Sequence, residues 1–238
     1  KVYGNRFVDI PCEGIQQVNV GTAAGVSRAT SIDAGTNAIT AGGTDATVAD
    51  ASIFAVGDYV TVYTASTAAK AEPLAHRINA IDTGTNTITI DAPGWWFAES
   101  SGTLTALIIV TGQWFSDNQF QNVGGNPIHL SGTTGSQICR NTFVNVNLDT
   151  AAGHRGGAIS WSWACTNAIV TDNYINGCYC GFGTMQEMHV SGALIADNVV
   201  ENATAYGLLS ASAITTAYCP RDLTIVNNTF RNCVSVYI

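Results

Sequence analysis

The sequence predicts an all-β chain: a right-handed parallel β-helix, a solenoid, with a small antiparallel β-module inserted into it. Three observations predict this. One short phrase built on an asparagine occurs six times, with three apolar columns and two turn columns in agreement. The later copies follow one another at the repeat length of a solenoid. The long gap after the first copy holds a different pattern, itself duplicated.

The anchors of the phrase are Asn5, Asn118, Asn141, Asn173, Asn198 and Asn228. Three positions before them stand Val2, Phe115, Ile138, Val170, Ile195 and Ile225. Two positions after them stand Phe7, Phe120, Phe143, Ile175, Val200 and Phe230, and five after, Ile10, Val123, Val146, Cys178, Ala203 and Cys233. Four positions after, the residues are Asp9, Asn122, Asn145, Gly177, Asn202 and Asn232, which are turn formers. The apolar residue before the Asn ends one short strand, and the one after it begins the next. The Asn is placed at the corner, where an αL backbone is tolerable and its amide can bond backbone groups. Stacked corners align these amides as a hydrogen-bonded ladder. From Asn118 onward the intervals are 23, 32, 25 and 30 residues, so each repeat is one coil with its surplus in surface loops. β-branched and aromatic columns favour strands over helices. Coils stacked at the strand spacing rise about 4.8 Å each.

Composition agrees with a folded chain of tight turns. Of 238 residues, 46% are hydrophobic and only 11% charged, with Gly at 24 and Pro at 5. The net charge is −8, and Lys1 and Lys70 are the lysines. Nucleic acid is therefore not expected as a partner, and an anionic polymer would be repelled unless a local basic patch intervened. The seven cysteines form no CxxC pair, and Cys178 and Cys233 share the inward column of Val123 and Val146. They read as small buried hydrophobes, consistent with assembly in a reducing cytoplasm. No signal peptide and no membrane span is apparent; Thr103 to Thr111 is apolar but too short. The chain begins inside one coil and ends inside another, without polar caps. A piece of a longer protein, or ends covered by other chains, is the expectation.

Residues 1–20 form the first coil, with Val18 and Val20 in its last strand. The next anchor lies 113 residues on, whereas one coil takes roughly 25. Residues 21–105 are accordingly read as the inserted module, a small antiparallel barrel or sandwich, and 106–238 as the remaining coils. Within the module, Ser31 to Thr40 matches Ala80 to Thr89, each read as a hairpin around an Asp-x-Gly-Thr-Asn turn. Phe54 to Tyr63 reads as a further strand after a Gly-Asp turn, and Ala65 to Ala71 as a loop or short helical turn. Thr103 to Thr111 is taken as the strand that returns the chain to the β-helix. In the coils, third strands are expected at Ile128-His129-Leu130, Ala158 to Trp161, Gly181 to Gly183, Gly207 to Leu209 and Val234 to Tyr237. The longer loops are 147–157, 162–167, 184–189 and 210–221.

No phosphate-binding loop, HExxH or nucleophile elbow is present, so candidate chemistry is reached by elimination. From residue 111 onward there are seven carboxylates. Asp117, Asp172 and Asp197 precede ladder asparagines and are explained by turns; Glu201 should face solvent. Asp149, Glu187 and Asp222 remain, in loops. Polysaccharide hydrolysis takes two carboxylates, about 5–5.5 Å apart for retention or roughly 6.5–9.5 Å for inversion. Asp149 and Glu187, one coil apart, are the candidate catalytic pair, with solvated loop acids as the plain alternative. A lyase takes a base and a cation for the substrate carboxylate; His154 as base, Arg155 as cation and His129 are the candidates. His129 and Ser160 should face outward. Trp163 lies in the loop 162–167 as a candidate sugar contact. Trp95 and Trp96, after Pro93-Gly94, are either a sugar-stacking platform or a plug at the module joint. His154 and His189 lack ligand spacing, so neither a metal nor a cofactor is expected.

The phrase Asp-Asn-x-apolar-x-Asn with its later Gly-apolar return resembles the pectate-lyase-like right-handed β-helices. The segments Phe54-x-Val56-Gly57-Asp58-x-Val60 and Ile81-Asp82-x-Gly84-Thr85-Asn86-x-Ile88 are similar to modules of bacteriophage tailspike proteins. The resemblance implies a homotrimeric virion tail component, assembled in the host cytoplasm beside other tail proteins. Such a component binds, and often cleaves, a host surface polysaccharide. It carries over no catalytic residue. A secreted, monomeric polysaccharide lyase or hydrolase and a non-catalytic adhesive β-helix are the alternatives.

Overall fold

The computed structural model describes residues 1–11, 14–17, 28–32, 39–40, 42–63, 76–91, 94–95, 102–107, 109–148, 156–161, 165–184, 190–209 and 222–237. Among them every regular element is a strand. They fall into two compact units, Lys1–Val18 with Val110–Ile238, and Asn19–Ile109.

The first unit is a parallel β-helix of six coils. Sheet I stacks Val2–Tyr3, Trp114–Ser116, Gln137–Cys139, Ile169–Thr171, Leu194–Ala196 and Thr224–Val226. Each coil then turns at its ladder Asn into the first limb of sheet II. That limb holds Arg6–Ile10, Gln119–Val123 and Thr142–Val146, continuing to Thr229–Arg231. The second limb contains Ile15–Gln17, Ile128–Leu130, Ile159–Trp161 and Ser235–Tyr237. Two long strands, Tyr174–Thr184 and Val199–Leu209, run through both limbs and join them into one sheet of ten strands. Sheet III closes the coils with Val110–Thr111, Thr133–Thr134, Cys165–Thr166 and Val190–Ser191.

The apolar columns of the sequence are the registers of these sheets. Val2, Phe115, Ile138, Val170, Ile195 and Ile225 are paired in series. So are Phe7, Phe120, Phe143, Ile175, Val200 and Phe230. These side chains fill the interior; Phe7, Phe120 and Phe143 stack face to face at 4.7 and 4.9 Å.

The ladder holds as well. Asn118 donates both its backbone N–H and its Nδ2–H to Asn141 Oδ1, each at 3.0 Å. The same pair of bonds links Asn5 to Asn118, Asn141 to Asn173, Asn173 to Asn198, and Asn198 to Asn228. Nδ2 also donates to a carbonyl of the preceding coil, as from Asn173 to Ile138 O at 2.9 Å. The αL residue at this corner is not the Asn but the one before it: Gly4, Asp117, Arg140, Asp172, Asp197 and Asn227, with their counterparts four positions after the Asn, have φ of 51–70°. A third αL column, Gly112, Gly135, Asn167, Gly192 and Asp222, lies six positions before the Asn. The sequence reading omitted it, although turn formers at a constant offset announce it. The three corners are thus five residues apart, which sets the short strands of each coil.

The second unit pairs Ala29–Ser31, Thr103–Leu107, Tyr59–Tyr63, His76–Asp82, Thr87–Ile90 and Asp45–Thr47, in that order, all antiparallel. A bridge from Ile32 to Val48 connects the two end strands, so the pairing closes on itself as a barrel. Ala46, Val60, Ile78, Ile88 and Leu104 are in its core. Two expectations need correction. Thr103–Leu107 is a module strand and not a coil strand; the β-helix resumes at Val110. Of the duplicated phrases, the second is a hairpin, but in the first Ile32 and Ile39 bridge to Val48 and Ala46 rather than to each other. Residues 18–20, 33–38 and 65–71 lie outside the described residues.

Candidate functional site

Most of the loop candidates, Asp149, His154, Arg155, Trp163 and Glu187, lie outside the described residues, as does Trp96. His129 and Trp95 are described, and neither meets the expectation of an exposed contact. Alternation turns His129 away from the core residues Ile128 and Leu130, yet it is only 7% exposed, and its partner in register, Ser160, is fully buried. Strand alternation gives a side chain's direction but not what covers it. Trp95 is 1% exposed in the module core, edge-on to His76 at 4.8 Å, with no acceptor for its indole N–H among the described residues. It is a packing residue there and offers no face to a sugar.

The described surface brings together two other groups. The first is on the outer face of sheet II, where Asn176, Glu201 and Arg231 are in register on three successive coils. Tyr174 O–H donates to Glu201 Oε2 at 2.9 Å, Asn176 Nδ2 donates to the Tyr174 oxygen at 3.0 Å, and Arg231 donates to Glu201 Oε1 at 2.9 Å. The Tyr174 bond, then that of Arg231, holds the Glu201 carboxyl below the usual carboxylate range. The same bond, with burial second, pushes Tyr174 up. Glu201 is therefore a fixed anion and Tyr174 a fixed donor. Among the described residues Glu201 is in register with Asn176 and Arg231, not with a second carboxylate such as a hydrolase takes.

The second group lines a cleft of about 290 Å³ on the outer face of sheet I: Lys1, Tyr3, Trp114, Ser116, Asp117 and Arg140. Arg140 grips Asp117 with two bonds, Nε to Oδ1 at 2.8 Å and Nη2 to Oδ2 at 2.9 Å. Arg140 holds the Asp117 carboxyl below its ordinary range, and Asp117 in turn pushes Arg140 up. Both residues occupy αL corners on neighbouring coils, which turns their side chains to the rim. Sequence reasoning missed both groups. Asp recurs just before the ladder Asn at 117, 172 and 197, but Arg140, Tyr174, Glu201 and Arg231 each occur once at their offsets.

Among the described residues Cys139, Cys178 and Cys233 are free thiols, and burial pushes the Cys178 thiol up to about 12. Among the described residues no group of three or more His, Cys, Asp or Glu could hold a metal ion, and no helix is long and apolar enough to cross a membrane.

A family model described as the right-handed β-helix region matches residues 105–238. The chain belongs to this β-helix family. No curated protein sequence matches it. Among solved structures, this β-helix chain is similar to the Gp54 tailspike of Acinetobacter baumannii bacteriophage AP22, solved with A. baumannii capsular saccharide. Identity is 13%, over 97% of this chain and 52% of that one, with a TM-score of 0.46. It is also similar to tailspike gp61 of Pseudomonas phage phi297, at 13% identity over 96% and 50% of the two chains and a TM-score of 0.40. For tailspike gp49 of Pseudomonas phage LKA1 the values are 11%, 85%, 42% and 0.37. The chain spans about half the length of these structures or less.

Proposed function

We propose that this chain is the β-helix body of a tailspike-like virion protein that binds a polysaccharide on the host cell surface. The observation that supports it is the row on sheet II. Tyr174, Asn176, Glu201 and Arg231 present linked donors and acceptors at one-coil steps along the stacking axis. An open row of this kind suits a linear polymer better than a small molecule, which binds in a concave pocket. A net charge of −8 disfavours a polyanion such as nucleic acid. What remains is a polymer rich in hydroxyls. Assembly as a homotrimer with other tail proteins belongs to the same reading, as does cleavage by Asp149 and Glu187 assisted by His154.

The test is incubation with host capsule or lipopolysaccharide, read as retention of the polymer and as appearance of shortened oligosaccharides. Retention is expected; none from any host surface polymer overturns the reading. If fragments appear, Asp149→Asn and Glu187→Gln should abolish them, and unchanged cleavage removes both residues from the catalytic role. Sedimentation should give three chains per particle, and a monomer counts against the virion appendage.

A further inference from the structure

We infer that the cleft on the outer face of sheet I is a binding site for one uncharged pyranose unit, stacked on the ring of Trp114. The inference rests on the polysaccharide reading and names a subsite on a different sheet from the row above.

The ring is presented as a platform. Trp114 is 37% exposed, and its indole N–H is turned toward Cys139 Sγ at 3.4 Å. That contact sets the ring plane and occupies its one polar group, so the ring offers a ligand its π face. Lys1 Nζ lies over that face at 5.0 Å from the ring centroid, so a ligand that stacks there displaces this one flexible ammonium. The face is the negative side of the ring quadrupole. The C–H groups on one side of a pyranose carry the complementary partial charge.

The rim is a fork. Asp117 and Arg140 fix each other's planes, and their side chains are 47% and 53% exposed, so their outer edges remain open. A carboxylate accepts and a guanidinium donates, and a hydroxyl does both. Neighbouring hydroxyls on a sugar ring can therefore bond the two at once. Tyr3, 72% exposed, adds a second aromatic wall.

Size and charge narrow the ligand. A volume of about 290 Å³ lies at the lower end of ligand sites, roughly 300 Å³, so one ring fits rather than an oligomer. The Arg140 charge is met by Asp117, and Asp172 and Asp197 follow on the same edge in the coils beyond, both exposed. An anionic sugar finds its guanidinium taken, and the one further cation of the cleft, Lys1, is outnumbered by the carboxylates along this edge.

The test uses the full chain, isotope-labelled and titrated with methyl glycosides of glucose, galactose, mannose and N-acetylglucosamine. Methyl glucuronoside is the charged control. At least one neutral glycoside should move the Trp114 indole N–H resonance, assigned by its loss in Trp114→Phe, while the buried Trp95 and Trp161 signals stay still. No movement with any neutral glycoside overturns the inference, and so does tighter binding of the glucuronoside. On a polysaccharide that the wild-type chain retains, Trp114→Ala and Arg140→Ala should each weaken retention about tenfold. Equal retention overturns the subsite and leaves the polysaccharide reading intact. A chain that retains no polysaccharide yet binds a glycoside at Trp114 overturns that reading and keeps the site.

Discussion

The β-helix joins strands that are 23 to 32 residues apart in its later coils, all in parallel, while the barrel joins antiparallel strands, some across a single turn such as Asp82 to Thr87. In the helix each interior position is occupied by nearly the same residue on every level, and polar corners are satisfied by the level above or below. In the barrel each core residue meets different neighbours, and the hairpin turn satisfies its polar groups locally. Asp82 takes the N–H groups of Gly84 and Thr85 in its own turn at 2.8 and 3.3 Å. A solenoid therefore depends on buried side chains acting between coils. The module depends on backbone pairing and a mixed core.

The sharpest test of that contrast is truncation inside the aromatic stack. Phe143 lies over Phe120 at 4.9 Å and in register with Ile175, fully buried. Phe143→Ala should cost about 3–5 kcal/mol, as buried aromatics do. The milder Ile78→Val in the barrel core should cost about 0.5–1.5 kcal/mol. Urea midpoints with unchanged slopes measure both. A Phe143→Ala loss no larger than that of Ile78→Val would break the contrast.

Next in size is the ladder. Asn173→Ala strands the backbone N–H of Asn141 without an acceptor and frees Ile138 O, both buried, while Asn141 Nδ2 keeps its bonds to Phe115 O and Cys139 O. Each orphaned group costs about 1–3 kcal/mol, so a loss of about 2–5 kcal/mol is expected. The outer row is different. Asn145 reaches Asn122 at 3.4 Å in solvent, and Asn145→Ala should cost about 1 kcal/mol, chiefly because Ala tolerates its αL backbone less well than Asn does. Equal effects at the two positions would mean that the inner amides serve only as turn formers.

The columns were legible in the sequence because stacking demands the same residue type at every level. The ladder asparagines and the Phe7, Phe120, Phe143 column could be aligned by eye for that reason. The αL residue was misplaced by one, since Asp and Asn sit side by side in the phrase and both tolerate that backbone. Thr103–Leu107 was assigned to the wrong unit because an apolar strand does not say which edge it joins. The surface groups were not legible. Tyr174, Glu201 and Arg231 share a face only once coils 25 and 30 residues apart are stacked in register. Glu201 points outward as expected, but Tyr174 and Arg231 bond it and leave its side chain only 19% exposed.

A smaller effect separates two glycines of similar backbone. Gly177 has φ +70°, and an added Cβ would stand 2.9 Å from Asn145 Oδ1; Gly135 has φ +66° with nothing within 4 Å. An L-residue in αL costs about 1–2 kcal/mol. Gly135→Ala should show that cost alone, and Gly177→Ala should show more, because the amide of the coil below must move. Equal midpoints would place the whole cost in the backbone and none in the stacking.

The smallest effect concerns acid, and it sharpens the contrast from the module side. Asp58 accepts two bonds from Arg28, one of them Nη2 to Oδ1 at 2.8 Å, and one from Ala55 N–H at 2.7 Å. Burial pushes its carboxyl up, but Arg28 and the Ala55 N–H outweigh burial and hold it below its ordinary value. A carboxyl depressed on folding adds stability above its unfolded pKa, about 3.9, and that stability is lost as pH falls through the folded value. Stability of the barrel should therefore decline from near pH 4 downward. Asp58→Asn should lower it at neutral pH and flatten that decline. Glu201 and Asp117 in the β-helix are also depressed, but their arginine partners are 66% and 53% exposed and the pairs are screened by solvent, so Glu201→Gln should leave the acid limb of the coils nearly unchanged. Urea midpoints taken from neutrality to about pH 3 decide it: an acid limb that survives Asp58→Asn intact would move the titrating group elsewhere in the barrel, to Asp82 or to Asp91 beside His76.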